Sequence, residues 1–264
     1  MNLSSALEVI RISDVGKCRE QNEDAIASDL NIGLVVLADG MGGCNAGEVA
    51  SEMAILTIIA ELNERLMHIA PGNLLASTGL QLESQALVLA VKKANEIIFN
   101  VSQSQPECAG MGTTLVAALF TNNKLIAGHI GDSRIYRMRG DNLKQVTEDH
   151  SLLQAQLNSG LITLEQAKYS NNKNLITRAL GTDAEVELEV REFSVEVGDI
   201  YLLCSDGLTD LVDDEEIKFN MFALRANLKL AANQLIKLAN DYGGKDNISV
   251  ILVRVLKSFA AEQH

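Results

Sequence analysis

The sequence is short of positive charge. Its 22 lysines and arginines stand against 35 aspartates and glutamates, a formal net charge of −13 over 264 residues. That deficit argues against a nucleic-acid or anionic-membrane surface, while leaving room for a locally basic phosphate pocket, and it draws small cations to the chain. Cysteine is equally sparse. Cys18, Cys44, Cys108 and Cys204 form no CxxC pair and no zinc-like spacing, so neither a disulfide framework nor a thiolate site is indicated, and a reducing cytoplasm is the expected location. No apolar run approaches the roughly 18 residues that a membrane span requires. The opening MNLSSALEVIRIS lacks the basic stretch and long apolar segment of a leader, so the expectation is a soluble, unexported protein. There is no low-complexity linker and no repeat longer than a strand-plus-acid pattern. One domain spanning 1–264 is expected.

What is present centres on Gly33 to Ala50, GLVVLADGMGGCNAGEVA. Leu34 to Ala38 is an unbroken apolar run, too short for a helix and rich in valine and leucine, which reads as a strand buried on both faces. Asp39 follows where the strand leaves the core. Gly40, Gly42 and Gly43 permit a tight turn, and Asn45 with Glu48 forms a capping box for a helix from Ala46. The pattern recurs: LIAGHIGDS brings Asp132 to a strand end, IYLLCSDG does the same for Asp206, and Asp246 precedes the strand of DNISVILV. If those strands are neighbours the four carboxylates converge, and like charges about 4 Å apart repel by roughly 1 to 4 kcal/mol per pair. A cation must then sit between them. Oxygen ligands without an associated His or Cys cluster favour Mg²⁺, Mn²⁺ or Ca²⁺ over zinc.

The remaining elements follow from periodicity. Leu7–Ser13 and Ala25–Ser28 read as strands around the polar turn DVGKCREQNEDA. A helix from Ala46 to about Ile69 carries Val49, Met53, Leu56 and Ala60 as one stripe, widened by Ile55, Ile58, Ile59 and Leu62, and a second from about Gln81 to Val101 carries Leu82, Ala86, Leu89, Lys93 and Ile97. Thr113–Phe120, Lys124–Ile130 and Arg134–Arg139 read as a meander of antiparallel strands, turning at Asn122-Asn123 and Gly140-Asp141. Glu148 to Ala179 reads as an irregular surface flap, with a short helix stopped by Gly160, a Thr163–Gln166 capping box and the polar run YSNNKN. Val186–Val195, Ile200–Cys204 and Ile248–Val255 return to strand around a helix at Leu228–Tyr242.

The segments DVGKCREQNEDA, VLADGMGGCNAGEVAS, GMGTTLVAAL, HIGDSRIYR, VTEDHSL, NLITRALG, LLCSDGLTDLV and GGKDNISVILV, in that order, resemble the metal-dependent serine/threonine protein phosphatases of the PPM, or type 2C, family in its compact bacterial form. The resemblance covers nearly the whole chain. It implies an α+β fold, a four-layer α-β-β-α sandwich of two antiparallel sheets flanked by helix pairs, with a flap subdomain at about 145–180. The local reading is compatible, because helices cluster between blocks of strands instead of alternating with them.

Carried over by position, the resemblance implies that Asp39 bridges two metal ions, that the Gly40 carbonyl binds one of them, and that Asp206 and Asp246 complete the other. Asp132 with Asp206 would form a third, weaker site. Glu23 would hold metal-bound water, and Arg19 would clamp the substrate phosphate through paired charge-assisted bonds. The implied cofactors are Mn²⁺ or Mg²⁺. They acidify a shared water and neutralise charge on the transferring phosphoryl group. Met41 follows Asp39-Gly40 and cannot donate a proton to the leaving alcohol, so water is the implied acid. His129 and His150 read as structural.

The implied partners are phosphoprotein substrates and a cognate serine/threonine kinase, with no nucleic acid and no membrane, and a monomer is expected. Taken without its motif, Arg19 reads preferentially as a surface arginine, and Asp132 has an alternative reading as the ion-pair partner of Arg134. Two other classes compete: a non-catalytic phosphoprotein-binding module on the same fold, and an acidic calcium-binding protein, which would lack an EF-hand loop here. The dinucleotide and P-loop readings of the glycines fail, because Asp39 stands beside the turn and GMGTT has no Gly-Lys-Ser/Thr ending.

Overall fold

The structure is a computed structural model that describes residues 2–42, 46–69, 72–74, 81–167 and 175–260. The chain opens with strands β1 (Leu7–Asp14), β2 (Asp24–Asp29) and β3 (Leu34–Met41), followed by helices α1 (Ala46–Leu66) and α2 (Leu82–Ser104). Then come β4 (Gly112–Thr113), β5 (Leu115–Thr121), β6 (Lys124–Ile130), β7 (Arg134–Arg139) and β8 (Asn142–Gln145). Helices α3 (Leu152–Asn158) and α4 (Leu164–Ala167) lead to β9 (Glu189–Ser194) and β10 (Ile200–Cys204). Helices α5 (Asp206–Thr209), α6 (Asp214–Ala223) and α7 (Leu228–Asp241) precede the last strand, β11 (Ile248–Val255).

Two antiparallel sheets result, one ordered β1-β11-β10-β7-β8 and the other β2-β3-β5-β6-β9 with β4 beside β3. Strand alternation distributes their side chains over three apolar layers. Leu34, Val36 and Ala38 of β3 pack with Ala50, Ile58, Leu87 and Val91 of the first helix pair. Their neighbours Val35 and Leu37 face the other sheet, where they meet Tyr201, Leu203, Ile251 and Val253. Leu202, Val250 and Leu252 point away from that interior and pack with Ile217, Leu228 and Leu235 of α6 and α7. The unbroken apolar run of β3 thus serves two cores at once, as the expected four-layer order requires. Phe120 and Tyr201 meet edge to face between the sheets, with ring centroids 5.4 Å apart.

Several local readings change. The meander is broken after its first hairpin: β5 and β6 pair through the Asn122-Asn123 turn, whose φ values of 44° and 54° match a primed hairpin turn. β7 then crosses to the other sheet and pairs with β10. Gly131 makes the crossing, at φ 101° and against the Thr114 side chain, where a Cβ would lie 2.7 Å from its nearest atom. The added strand β8 completes a hairpin at Gly140-Asp141.

Both helix stripes are also rotated. In α1 the expected Ile55, Ile58 and Leu62 are buried, but the rest of the face is Ala46, Ala50 and Ala54, whereas Leu56 is 67% exposed. In α2 it is Ala86, Ala90, Ala94 and Ile98, whereas Leu89 is 40% exposed and Glu83 is buried, bonded to Thr121 and to the Gly72 N–H. Alanines let the two helices approach each other and β3 closely, so the bulkier residues flank the contact instead of filling it. The Thr163–Gln166 box forms reciprocally, with bonds of 2.8 and 3.3 Å. Asn45, Cys44 and the whole of YSNNKN lie outside the described residues.

Candidate metal centre

The carboxylates converge because strand ends converge. Asp24 opens β2 and stands in register with Asp39 of β3, so the two share one face of one sheet. Asp206 follows β10 and Asp246 precedes β11, and these adjacent strands belong to the opposite sheet. Asp132 sits on the crossing between the sheets, two residues before β7. Thr114 ties the two sides together. Its Oγ1 accepts the Asp39 N–H at 3.1 Å and pairs with Ser133 Oγ at 2.8 Å, and its own N–H donates to the Asp39 carbonyl at 2.8 Å.

The electrostatics follow from this crowding. Burial, and then the neighbouring Asp24, Asp206, Asp132 and Asp246, push the Asp39 carboxyl well above its ordinary range. Asp206 is raised in the same way by burial and by Asp132, Asp210 and Asp246. Burial first, with further carboxylates behind it, pushes Asp24 and Asp132 up to about 6. Asp24 Oδ1 and Asp132 Oδ1 are buried and face no hydrogen-bond donor. A buried carboxylate oxygen without a protein donor calls for a proton, a water or an ion. Clustered carboxylate oxygens of this kind fit a hard, oxygen-seeking divalent cation, so the residues present suit Mg²⁺ or Mn²⁺. The alternative pairing of Asp132 is not formed: Arg134 instead grips Asp149, through Nε at 2.9 Å and Nη2 at 2.6 Å.

The rim is built by the polar turn after β1. Arg19 Nη2 donates to Asp246 Oδ2 at 2.8 Å, and the half-exposed guanidinium stands at the edge of the cluster. Among the described residues it makes no other hydrogen bond, so most of its five donors face outward. Asn247 fixes this turn. Its Nδ2 donates to the carbonyls of Val15 at 3.0 Å and Gln21 at 2.8 Å, while its Oδ1 accepts the Glu23 N–H at 2.8 Å. The Glu23 carboxylate lies against Gly47 in the first turn of α1, where the helix dipole favours an anion, while its partial burial holds its pKa above the ordinary value. Gly40 lies between these parts. Its N–H donates to the Glu23 carbonyl at 3.1 Å, and a Cβ there would lie 2.1 Å from the Gly47 carbonyl oxygen.

Arg19, Glu23, Asp39, Gly40, Asp132, Asp206 and Asp246 are therefore brought to one end of the sandwich. Asp24 and Asn247 were not anticipated. Asp24 lay inside the REQNEDA motif, and pairing β2 with β3 in register would have revealed it. Asn247 adjoins Asp246, yet its bonds to Val15, Gln21 and Glu23 bridge more than 220 residues and leave no local trace.

His129 and His150 form a separate structural unit. Their rings stack 4.4 Å apart, His129 Nε2 donates to the Glu148 carbonyl at 2.6 Å, and burial holds both below their usual range. His150 Nδ1 accepts the Gly131 N–H at 3.3 Å, which places its ring proton on Nε2, towards Glu189. Although these three side chains lie close enough for a cation, the ring protons are already committed to hydrogen bonds.

The raised pKa values set a direction for stability. Between about pH 4 and about pH 6 the folded metal-free protein keeps protons on Asp24 and Asp132 that the unfolded chain has released, so stability falls as pH rises through that window, and further for Asp39 and Asp206. Melting curves in chelator and in excess Mg²⁺ are expected to separate progressively as pH rises. A separation that stays constant with pH would disprove the convergence.

Two packed antiparallel sheets between helix layers, with carboxylates suited to hard cations at one end and a guanidinium beside them, make up the equipment of a phosphoester hydrolase. A family profile described as protein phosphatase 2C matches residues 18–249, and the chain belongs to that family; it is an enzyme, a protein phosphatase. It is 36% identical over 244 residues to the serine/threonine phosphatase stp of Listeria welshimeri, covering 91% of this chain and 93% of that one. With the serine/threonine protein phosphatase PstP of Mycobacterium tuberculosis it shares 41% identity over 92% of this chain and 44% of the longer relative. The crystal structure of Mycobacterium tuberculosis PstP/Ppp superposes with a TM-score of 0.84 at 38% identity, covering 96% of this chain and all of that one. The PstP catalytic domain in complex with two manganese ions gives a TM-score of 0.79 at 39% identity, covering 96% and 99%.

Proposed function

We propose that this chain removes phosphate from phosphoserine and phosphothreonine in proteins, using Mn²⁺ or Mg²⁺ held by Asp39, the Gly40 carbonyl, Asp206 and Asp246, and that it opposes a serine/threonine kinase. The observation that carries this reading is the convergence of carboxylates from both sheets around buried oxygens that no donor satisfies. Cations bound there supply an activated water at neutral pH and neutralise charge on the transferring group. The protein does the positioning. Asp24 and the Thr113 and Thr114 hydroxyls hold Asp39, Asn247 holds the Arg19–Glu23 turn against Asp246, and Glu23 orients water from the start of α1. Arg19 offers its outward N–H groups to two phosphoryl oxygens.

Asp132 and Asp206 together form the third, weaker cation site, supported by the orphan Asp132 Oδ1 in the cleft that also carries Asp149 and Asp210. The region at about 145–180 acts as a flap within a single domain and selects among protein substrates. The chain acts as a monomer in the cytoplasm; among the described residues no helix is long and apolar enough to cross a membrane. The test is phosphate release from a phosphothreonine peptide with Mn²⁺, with Mg²⁺ and with excess chelator. Release is expected only with metal, and Arg19→Ala is expected to raise KM about tenfold or more, the scale of a lost charge-assisted bond. Release unaffected by chelator would sink the metal assignment.

A further inference from the structure

The apolar layer between the sheets ends at β8 and β9, each the outermost strand of its sheet. A cavity of about 350 Å³ opens there, and cations line it: Arg137 from β7, Lys144 from β8 and Arg191 from β9. Alternation sets all three on the faces that the two sheets turn towards each other, with Lys144 and Arg191 exposed at the rim. Ile135 and Phe193, two residues from Arg137 and Arg191, belong to the layer between the sheets, while Leu143 packs on the outer helix layer and leaves Lys144 on the opposite face of its strand. Arg137 and Lys144 are direct register partners, and like charges placed opposite each other cost stability. Neither forms an ion pair or side-chain hydrogen bond among the described residues, in a chain whose net charge is −13. Arg191 is held by Glu189 at 2.6 Å and lies 3.8 Å from Glu148, which also lines the cavity. Inward charges can simply guard sheet edges. That role does not call for Arg137, because β7 is an interior strand between β10 and β8.

We propose that this seam is a second phosphoryl-binding pocket, in which the guanidinium of Arg137 and the ammonium of Lys144 take a phosphate dianion apart from the metal centre. Gln154 of α3 lines both this cavity and the cleft that contains Asp132 and Asp206, so one flap helix stands between the two. The dianion comes either from a second phosphorylated side chain of a protein substrate or from free inorganic phosphate. The pocket draws on the phosphatase reading only for that source, and its occupancy can be measured without turnover.

The test is calorimetric titration of the full, Mg²⁺-loaded chain with inorganic phosphate, beside kinetics on peptides carrying one phosphothreonine or two at varied spacing. Wild type is expected to show two phosphate sites. Arg137→Gln/Lys144→Gln is expected to lose one of them while hydrolysing the singly phosphorylated peptide normally, and the charge-keeping Arg137→Lys/Lys144→Arg to retain both. A KM advantage of about tenfold for a doubly phosphorylated peptide, abolished by the glutamine pair, would identify a substrate side chain as the source. A second phosphate site with no peptide advantage would identify free phosphate. Should the double variant aggregate, Arg137→Gln alone carries the comparison, being off the sheet edge. A single phosphate site in wild type, or a second site that survives both substitutions, overturns the proposal and leaves the cations as edge guards.

Discussion

Asp39→Asn is expected to lower turnover of a phosphothreonine peptide on the order of 10³-fold or more, a loss of several kcal/mol of transition-state stabilisation. The same substitution is expected to raise the melting temperature of the metal-free protein. Asparagine keeps the shape of the side chain and leaves intact the backbone bonds of residue 39 to Thr113 and Thr114. What it removes is one negative charge facing Asp24, Asp206, Asp132 and Asp246. In the metal-free protein that charge is a liability, since burial and its neighbours both oppose ionisation. In the loaded enzyme, on the proposed reading, the same carboxylate would help to hold the cations. Kinetics in saturating Mg²⁺ and melts in chelator read the two effects separately. Turnover near that of wild type would remove Asp39 from the machinery, and a less stable metal-free variant would show that its charge is not repelled.

Gly40→Ala is expected to cost about 3 kcal/mol or more of stability and with it most activity, because the added methyl meets backbone on both sides. Its Cβ would lie 2.1 Å from the Gly47 carbonyl oxygen, 2.4 Å from the Gly47 carbonyl carbon and 2.7 Å from the Glu23 carbonyl oxygen. None of these atoms is the end of a flexible side chain. Relief requires β3 to part from the start of α1, and Ser51 Oγ resists it by donating to the same Glu23 carbonyl at 2.6 Å. A useful control is Gly140→Ala, whose Cβ would meet nothing within 4 Å and whose only penalty is its positive φ, about 1 kcal/mol. Chemical denaturation of both variants decides the matter. Equal stability of the two would mean that the close approach at Gly40 is absent.

Much of the fold was legible because it is written in short-range pattern. The run Leu34 to Ala38 could only be a doubly buried strand, and the repeated strand-then-aspartate endings pointed to one shared site. The helix faces were misread for a physical reason: a window that weighs Leu56 and Leu89 above Ala50 and Ala90 assumes that large residues make the contact, whereas α1 and α2 need small ones to come close. The crossing of β7 to the other sheet was hidden because Gly131-Asp132-Ser133 has the texture of a hairpin loop, and what distinguishes it is the packing of Tyr136 and Met138 on the layer of α6 and α7. Asp24 and Asn247 were missed because their roles depend on strand register and on a contact between the two ends of the chain.

Asp24 and Asp39 ride on one sheet, Asp206 and Asp246 on the other, and Asp132 on the segment that passes between them. The carboxylate site is thus assembled across the seam between two packed sheets, and its dimensions follow from the offset of one layer upon the other. Side chains such as Phe120 and Tyr201, which touch no substrate, act as detents that set this offset. A worn detent would show first as a change in catalytic rate, while the melting curve still looked sound.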